Sequence, residues 1–159
     1  GFLTLERFKR LNPVEDLWMF ATGTGLAPYL SMLRDAAVWT RFRHIVLAVS
    51  LRERQDLAYE EELHHLAESG GRDGRATFVA CRTLTRDHQH GSLSGRIPAL
   101  IEDGQLQAAA GIPLEPATAR VMLCGNPEMV ETMRSLLKAR GFRMHRRLEP
   151  GHIIVENYW

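Results

Sequence analysis

A glycine-containing turn is the first part of this sequence that could do chemistry. It reads Thr22-Gly23-Thr24-Gly25, it follows an apolar run, and apolar residues recur after it at helical spacing. Two glycines let a backbone come close to an anion, and the N–H groups and dipole of a following helix favour negative charge there. The turn lacks the Lys-Ser/Thr ending of a P-loop. It therefore predicts a pyrophosphate cradle rather than ATP or GTP hydrolysis, with a turn whose glycines serve packing alone as the alternative.

Three arginines come after the next apolar runs. Arg52 lies just beyond the run 44–50, Arg82 directly follows the run 76–81, and Arg96 follows Gly91-Ser92-Leu93-Ser94-Gly95. A phosphate dianion is held well by several forked donors, and guanidinium groups supply them without losing their charge. The three arginines are therefore predicted to meet around one phosphate, such as the 2′-phosphate of NADP. Separate, solvated surface charges are the alternative.

A cysteine closes a later apolar run. Cys124 ends the run 120–124 and precedes Gly125-Asn126-Pro127, which is a predicted helix start. This position predicts a thiol that faces the cleft beyond the sheet. Three interpretations stay open: an activated nucleophile, for which no histidine partner is in view, a small polarizable group against a flat ring, or a buried structural cysteine. Cys81 lies inside a run and is interpreted as structural.

The chain ends on two aromatic residues, Tyr158 and Trp159, directly after Glu156-Asn157. Chain ends usually fray, so large aromatic side chains at this place need a surface to pack on. A flat cofactor is one such surface, and a neighbouring domain or subunit is the alternative. The histidines, in contrast, predict no metal site, because His88 and His90 have no third ligand in view.

The composition excludes several classes of protein. The 159 residues are 45% hydrophobic with a formal net charge of +1, which gives no support for a nucleic-acid partner. The basic segment 140–147 is interrupted by apolar residues and glycine. Two cysteines cannot form a disulfide framework of the secreted kind, so a reducing compartment, the cytoplasm, is predicted. No run is long enough to span a membrane.

The elements that would position these residues alternate between strand and helix. Apolar runs predict five strands over 17–21, 44–50, 76–81, 120–124 and 152–156, and helical spacing predicts helices over 26–37, 56–67, 97–107 and 128–140. The polar segment 83–94 is predicted to be a loop. This alternation predicts an α/β, Rossmann-like fold with a parallel five-stranded sheet and helices on both faces. Ligands of such sheets bind beyond the carboxyl ends of the strands, where the turn, the arginines and Cys124 lie.

Taken together, the motifs resemble the ferredoxin–NADP⁺ reductase family, most closely its bacterial flavodoxin/ferredoxin reductase branch. The resemblance covers nearly the whole chain, and several ordered motifs are far more specific than one. The stretches that carry it are 18–30 (Trp-Met-Phe-Ala-Thr-Gly-Thr-Gly-Leu-Ala-Pro-Tyr-Leu), 56–59 (Asp-Leu-Ala-Tyr), 91–98 (Gly-Ser-Leu-Ser-Gly-Arg-Ile-Pro), 121–127 (Val-Met-Leu-Cys-Gly-Asn-Pro) and the Tyr158-Trp159 terminus.

The resemblance implies an NADP(H) site. The turn 22–25 would hold the pyrophosphate, and the three arginines would grip the 2′-phosphate. Cys124 and Gly125 would position the nicotinamide beside the flavin, and Asn126 would also contact the cofactor.

The resemblance also implies a flavin-covering tail. Glu156 matches an acidic residue near the hydride-transfer centre, and Tyr158 matches a terminal aromatic that stacks on the isoalloxazine ring and gives way to nicotinamide. Trp159 would pack against bound FAD. Cys124, Glu156 and Tyr158 are therefore the predicted catalytic residues.

The resemblance implies that a flavin-binding barrel precedes this domain, and that barrel is expected to be missing from the present sequence. Residues 1–14 resemble the last segment of the family's flavin-binding barrel, and 15–159 would be the NADP-binding domain. The Arg-x-Tyr-Ser motif of that barrel is absent, so this chain is expected to bind NADP(H) weakly and to hold no FAD tightly. In the intact enzyme, a monomer, hydride would pass between NADPH and FAD and electrons would go on to ferredoxin or flavodoxin.

Three other functions remain open at this point. One is an NADH-dependent reductase domain of an oxygenase or flavohaemoglobin, against which the arginines count. Another is a stand-alone nucleotide-sensing module without catalysis. The third is a protein-interaction domain that binds no nucleotide.

Overall fold

The computed structural model describes residues 15–52, 60–86 and 91–157. Within these ranges the strands form one sheet in which every pairing is parallel. The strands are β1 (Glu15–Thr22), β2 (Phe42–Leu51), β3 (Thr77–Leu84), β4 (Leu93–Ser94), β5 (Ala119–Gly125) and β6 (Ile153–Asn157). Their order across the sheet is β4-β3-β2-β1-β5-β6.

Helices cover both faces of this sheet. They are α1 (Leu26–Leu33), α2 (Ala36–Arg41), α3 (Glu60–Ser69), α4 (Ile97–Glu102), α5 (Gln105–Ala110) and α6 (Pro127–Ala139). The first three helices share one hydrophobic cluster with one face of the sheet, and the last three share a second cluster with the other face. The predicted α/β class, with a parallel sheet between helices, is confirmed.

The apolar composition of β1 follows from its place between the two helix layers. Leu17, Met19 and Ala21 pack toward α1–α3, while Trp18 and Phe20 pack toward α4–α6. All five side chains are 0% exposed. A strand that is covered on both faces needs apolar residues at every position rather than at alternate ones.

The predicted number of strands is wrong, because the described residues contain six strands and not five. The additional strand is β4, which lies in the segment 83–94 that was predicted to be a loop. The same segment also contains the last two residues of β3, Thr83 and Leu84. A two-residue strand at the edge of a sheet is too short to show a periodic pattern in the sequence.

Two of the predicted helices are divided. The helix predicted over 26–37 is interrupted at Asp35, whose Oδ1 accepts a hydrogen bond from the N–H of Ala37 and caps α2. The helix predicted over 97–107 is interrupted at Gly104. Residues 1–14, with the predicted barrel segment, and residues 56–59, His88 and His90 lie outside the described residues.

The topology has one switch point. The chain moves outward from β1 through β2 and β3 to β4 and then returns to place β5 on the other side of β1. Crossovers therefore leave β1 and β5 toward opposite faces, which is the arrangement that forms a crevice between the carboxyl ends of two strands in doubly wound sheets. Ligands of doubly wound sheets bind at this point.

Two histidines accept backbone hydrogen bonds within the segment between α6 and β6. The backbone N–H of Arg143 donates to Nδ1 of His152 at 2.9 Å, and the N–H of Gly151 donates to Nδ1 of His145 at 3.1 Å. Burial, followed by the charges of Arg120 and Arg143, lowers the pKa of His152 from its usual 6.5. The folded state therefore favours the neutral form of the His152 imidazole.

We expect this arrangement to make the folded state weaker in acid. Because the unfolded chain binds a proton on residue 152 at the ordinary pKa and the folded chain does so only at lower pH, His152 contributes stability above pH 6.5 that is lost as the pH falls. Urea unfolding between pH 8 and pH 5.5 should show a shallower loss in His152→Gln than in the parent. His64→Gln, at an exposed position on α3, is the control. Identical profiles for parent and His152→Gln would contradict the prediction.

Candidate functional site

Two turns meet at the switch point. Ala21 and Cys124 are register partners, so the turns after β1 and β5 leave the sheet side by side. A Cβ on Gly25 would lie 2.3 Å from the carbonyl oxygen of Cys124. A Cβ on Gly125, whose φ is +136°, would lie 2.1 Å from Oγ1 of Thr22. Both positions therefore require glycine, and their contact sets the shape of the crevice.

A hydrogen bond joins the two turns. Oγ1 of Thr22 accepts from the backbone N–H of Asn126 at 2.9 Å. The side chain of Asn126 in turn caps α6, because its Oδ1 accepts from the N–H groups of Glu128 at 2.8 Å and Met129 at 3.4 Å. Thr22 and Asn126, which were predicted from sequence to contact a cofactor, thus also hold the site together.

Removing the hydroxyl of Thr22 should loosen this junction. We expect Thr22→Val to lower the free energy of unfolding by about 1 kcal/mol, because the N–H of Asn126 loses its acceptor. Thr22→Ser keeps the oxygen and should stay close to the parent in chemical denaturation. If Thr22→Val unfolds like the parent while Thr22→Ser is weakened, the methyl group and not the hydrogen bond stabilises the junction, and the prediction is wrong.

Neither residue at the two ends of the turn after β1 caps its N–H groups with a side chain. Residues Gly23–Gly25 form a single 3₁₀ turn that leads into α1. Thr22 makes no side-chain cap at the start of this turn, and Gly25, the residue before α1, has no side chain that could supply one. Gly23 is exposed and Gly25 is buried. An anion at this edge could accept from the turn; the side chain of Thr24 lies outside the described residues.

The three predicted arginines lie along three neighbouring strands. Arg52 directly follows β2 and Arg96 precedes α4 just beyond β4, and both are exposed. Arg82, however, lies inside β3, so the prediction that it directly follows the third strand is wrong. Its Nε donates to Oε1 of Glu60, and its Nη1 donates to the carbonyl oxygen of Ala80 at 3.3 Å.

A fourth arginine at this edge was missed. The backbone N–H of Arg86 donates to the carbonyl oxygen of Arg52 at 2.9 Å, so these two arginines are neighbours beyond β2 and β3. Arg86 is exposed. Its position shortly after an apolar run is the signal that could have indicated this arginine. The apolar pattern, however, predicted that the third strand ends at Cys81, and Arg86 therefore fell within a predicted loop.

A row of hydroxyl side chains crosses the same edge and was also missed. Thr22 pairs with Ser50, and Ser50 pairs with Thr83, so the three side chains share one face of β1, β2 and β3. Thr83 is 0% exposed, and its Oγ1 has no hydrogen-bond partner among the described residues. Each is a hydroxyl residue at, or one position before, the carboxyl end of its strand, which is the signal that sequence reasoning could have used.

Cys124 does not face an open cleft, which corrects the prediction for its thiol. The side chain is 0% exposed and packs in the hydrophobic cluster of the α1–α3 face. In the register of β5 and β6, Cys124 pairs with Glu156 and Gly125 pairs with Asn157, so the backbones of the predicted catalytic positions are adjacent. The side chain of Glu156, and all of Tyr158 and Trp159, lie outside the described residues.

Cys81 fits a structural role. It is buried, and desolvation raises the pKa of its thiol to about 11, although the charge of Arg82 opposes the shift. The thiolate, which is the reactive form, is therefore disfavoured. Among the described residues no group of three His, Cys, Asp or Glu side chains is placed to hold a metal ion.

Comparison with known proteins identifies the family. The family model described as the oxidoreductase NAD-binding domain matches residues 19–135, which is more than half of the chain. The chain belongs to this family. The oxidoreductase NAD-binding domain thus spans the residues from β1 to most of α6, including both turns.

The relatives agree with the resemblance predicted from the motifs. The flavodoxin/ferredoxin–NADP reductase of Escherichia coli is 41% identical over 160 residues, which cover 100% of this chain and 62% of the relative. The corresponding reductase of Buchnera aphidicola is 39% identical and is covered to 61%. The crystal structure of a ferredoxin NADP⁺ reductase from Neisseria gonorrhoeae with bound FAD and NADP superposes with a TM-score of 0.89 at 35% identity, covering 100% of this chain and 61% of that one. This chain thus spans about three fifths of the length of these relatives.

In the part of the chain that the structure describes, no helix combines the length and the apolar character needed to cross a bilayer.

Proposed function

We propose that this chain binds NADP(H) and positions it for hydride exchange with FAD in a ferredoxin/flavodoxin–NADP⁺ reductase. The observation that carries the proposal is the contact of the two glycine turns at the switch point, where a Cβ on Gly25 or Gly125 would clash with the opposite turn. This close approach brings the two turns together at the carboxyl ends of β1 and β5, which is where doubly wound sheets bind dinucleotides. Two relatives named flavodoxin/ferredoxin–NADP reductase match the whole of this chain, which supports the proposal.

The residues present fit the cofactor. The N–H groups of the 3₁₀ turn, Gly23–Gly25, would hold the pyrophosphate, since no side chain of Thr22 or Gly25 caps them. Arg52 and Arg96, exposed beyond β2 and β4, would bind the 2′-phosphate together with Arg86, which lies beside Arg52. Arg82 would join them only once it is released from its ion pair. When bound, the nicotinamide supplies the hydride that FAD accepts.

The nicotinamide end of the site lies at β5 and β6. Gly125 and Asn126 would line this end, with Cys124 beneath them and Glu156 beside them in the register. Tyr158 and Trp159 would cover the flavin. Buried Cys124 would serve here as a packing surface for the ring rather than as a nucleophile.

We extend the proposal to the whole protein by analogy with the relatives. Electrons would pass from FAD to ferredoxin or flavodoxin, the residues before 15 would end a flavin-binding domain, and the enzyme would work as a monomer in the cytoplasm. The names of the relatives support the electron partners. No role with nucleic acid is proposed.

Chemical-shift mapping tests the binding site. A ¹⁵N-labelled sample of this chain titrated with NADP⁺ should show its largest amide shifts at Gly23, Gly25 and Gly125. The amides between α6 and β6 should not shift, because this segment lies at the opposite edge of the sheet, where the strands begin. Shifts confined to that opposite edge, or no shifts at millimolar NADP⁺, would refute the site. If binding is seen but a protein joining this chain to an FAD domain does not oxidise NADPH, a sensing module would be the better description.

A further inference from the structure

Thr83 has a buried hydroxyl group without a hydrogen-bond partner among the described residues. Its side chain is 0% exposed, and its Oγ1 neither donates nor accepts a bond there. The residue is the last but one of β3, at the carboxyl edge of the sheet. An unpaired buried hydroxyl group is unfavourable for folding, so a role in ligand binding is one reason for it to be there.

Ser50 lies across the ladder from Thr83. The two are register partners of β2 and β3, so their side chains share one face of the sheet. Ser50 is half-buried and therefore reaches solvent at the edge. Because neighbouring strands are about 4.8 Å apart, a rotation about χ1 can bring the two hydroxyl groups within hydrogen-bond distance.

The two hydroxyl groups lie on the face that α4–α6 cover. Ala48 and Cys81, two residues before them on β2 and β3, pack in the hydrophobic cluster of that face. Arg52 comes two residues after Ser50, and the alternation along the strand directs it to the same side. Arg96 directly precedes α4, which packs in this cluster. Two exposed guanidinium groups thus belong to the same face as the hydroxyl pair.

We infer that Ser50 donates a hydrogen bond to the 2′-phosphate of NADP(H) and that Thr83 is the positioning residue that orients the Ser50 hydroxyl group. The O–H of Thr83 donates to Oγ of Ser50, and the O–H of Ser50 donates to a phosphate oxygen. The inference rests on the proposed function, because it assumes that the phosphate binds beside Arg52 and Arg96. It gives the buried hydroxyl group a partner and adds a neutral donor to the arginines.

The direction of both hydrogen bonds follows from the charge of the phosphate. A phosphate dianion only accepts, so Ser50 must donate to it. The lone pairs of Ser50 Oγ then remain for a donor, and Thr83, which has no other partner among the residues described, supplies one. Each bond in such a chain polarises the next, so the pair binds the anion better than Ser50 alone.

Removing either hydroxyl group should weaken NADP⁺ binding selectively. Ser50→Ala should weaken it by about tenfold, because a hydrogen bond to a charged group is lost. Thr83→Val should weaken it by about three- to fivefold, because Ser50 stays but loses its orientation. NAD⁺, which has no phosphate at this position, should bind to every variant within about twofold of the parent.

The effect of Thr83→Val on folding should differ from the loss of a structural hydrogen bond. Valine has nearly the shape of threonine, and Thr83 makes no side-chain hydrogen bond within the described part of the chain that could be lost. The urea midpoint should therefore equal or exceed that of the parent. A hydroxyl group that served the fold would instead give a lower midpoint.

Calorimetric titration of this chain with NADP⁺ and NAD⁺, together with urea unfolding, tests the inference. The variants are Ser50→Ala, Thr83→Val, the double variant of both, and Thr83→Ser, which keeps the hydroxyl group and should bind as the parent does. Thr77→Val is the matched control, because it makes the same change at the opposite end of β3. It should leave the affinity for NADP⁺ unchanged.

Coupling between the two positions decides the outcome. If Thr83 acts through Ser50, Thr83→Val weakens NADP⁺ binding in the parent but has no further effect once Ser50 is replaced by alanine. An equal loss on both backgrounds, or unchanged NADP⁺ affinity in Thr83→Val, overturns the inference while the proposed function stands. Unchanged affinity with a lower urea midpoint would show that the Thr83 hydroxyl group serves the fold. If the parent itself does not bind NADP⁺, the proposed function fails and the inference fails with it.

Discussion

Replacing Arg52 and Arg96 together by alanine is expected to weaken NADP⁺ binding by about a hundredfold or more. Each arginine would donate charge-assisted hydrogen bonds to the 2′-phosphate, and such bonds contribute about 1.5–3 kcal/mol each. Both side chains are exposed, at the carboxyl ends of β2 and β4, so their removal leaves the core untouched. Affinity for NAD⁺ should change by less than about threefold. Fluorescence or calorimetric titration with both nucleotides measures the effect.

A charge-matched control separates local contact from overall charge. Arg72 and Arg140 are also exposed, but they follow α3 and α6 and lie toward the opposite edge of the sheet. Replacing both by alanine removes the same two charges and should leave the NADP⁺/NAD⁺ ratio as it is. If both double variants lose NADP⁺ affinity equally, the phosphate is attracted by net charge and not by this pair of arginines.

Gly25→Ala is the substitution expected to damage the fold most directly at the site. The new methyl group would lie 2.3 Å from the carbonyl oxygen of Cys124 and 2.6 Å from its carbonyl carbon. These are backbone atoms in the middle of the sheet, so they cannot move aside cheaply. We expect a loss of about 2–4 kcal/mol in the free energy of unfolding, together with loss of NADP⁺ binding, because the two turns are pushed apart.

Gly23→Ala is the matched control in the same turn. Its methyl group would meet only Cδ2 of Leu51, at 3.3 Å, and a side-chain end can shift. Its free energy of unfolding should stay within about 1 kcal/mol of the parent. Denaturant unfolding of both variants makes the comparison. Similar losses in the two would mean that the close packing of Gly25 against β5 does not shape the site as we describe.

The central part of the fold could be predicted from sequence because it is specified by patterns of residues that are close together along the chain. β1 is apolar at every position from Leu17 to Ala21, and only a strand between two layers needs that pattern. The glycine turn that follows has its own signal in residue type and spacing. The same holds for Asn126-Pro127, where the capping residue and the proline mark the start of α6.

The arginine positions could not be fully predicted because they depend on partners distant in the sequence. Arg82 looked like a residue beyond the strand end, since a charge inside a buried strand is unfavourable. In the structure Glu60 compensates that charge, and β3 lies beside the very short β4, where the sheet is near its edge. Arg86 and Arg52 become neighbours only through pairing of segments more than thirty residues apart.

The burial of Cys124 has a similar cause. The prediction that Cys124 lies at the end of a strand is correct, but the exposure of its side chain depends on which turn packs against that strand end. The turn at Gly25 lies against the carbonyl group of Cys124, and the thiol faces the core beneath α1. That contact joins residues about a hundred positions apart, and no local pattern encodes it.

Affinity for NADP⁺ compared with NAD⁺ on the unaltered chain tests the central claim most directly. If arginines at the carboxyl edge bind the 2′-phosphate, calorimetric titration at low ionic strength should show NADP⁺ bound at least about tenfold more tightly. The difference should shrink as salt is added, because exposed charges are screened. Equal affinity for the two nucleotides at every salt concentration would contradict the account.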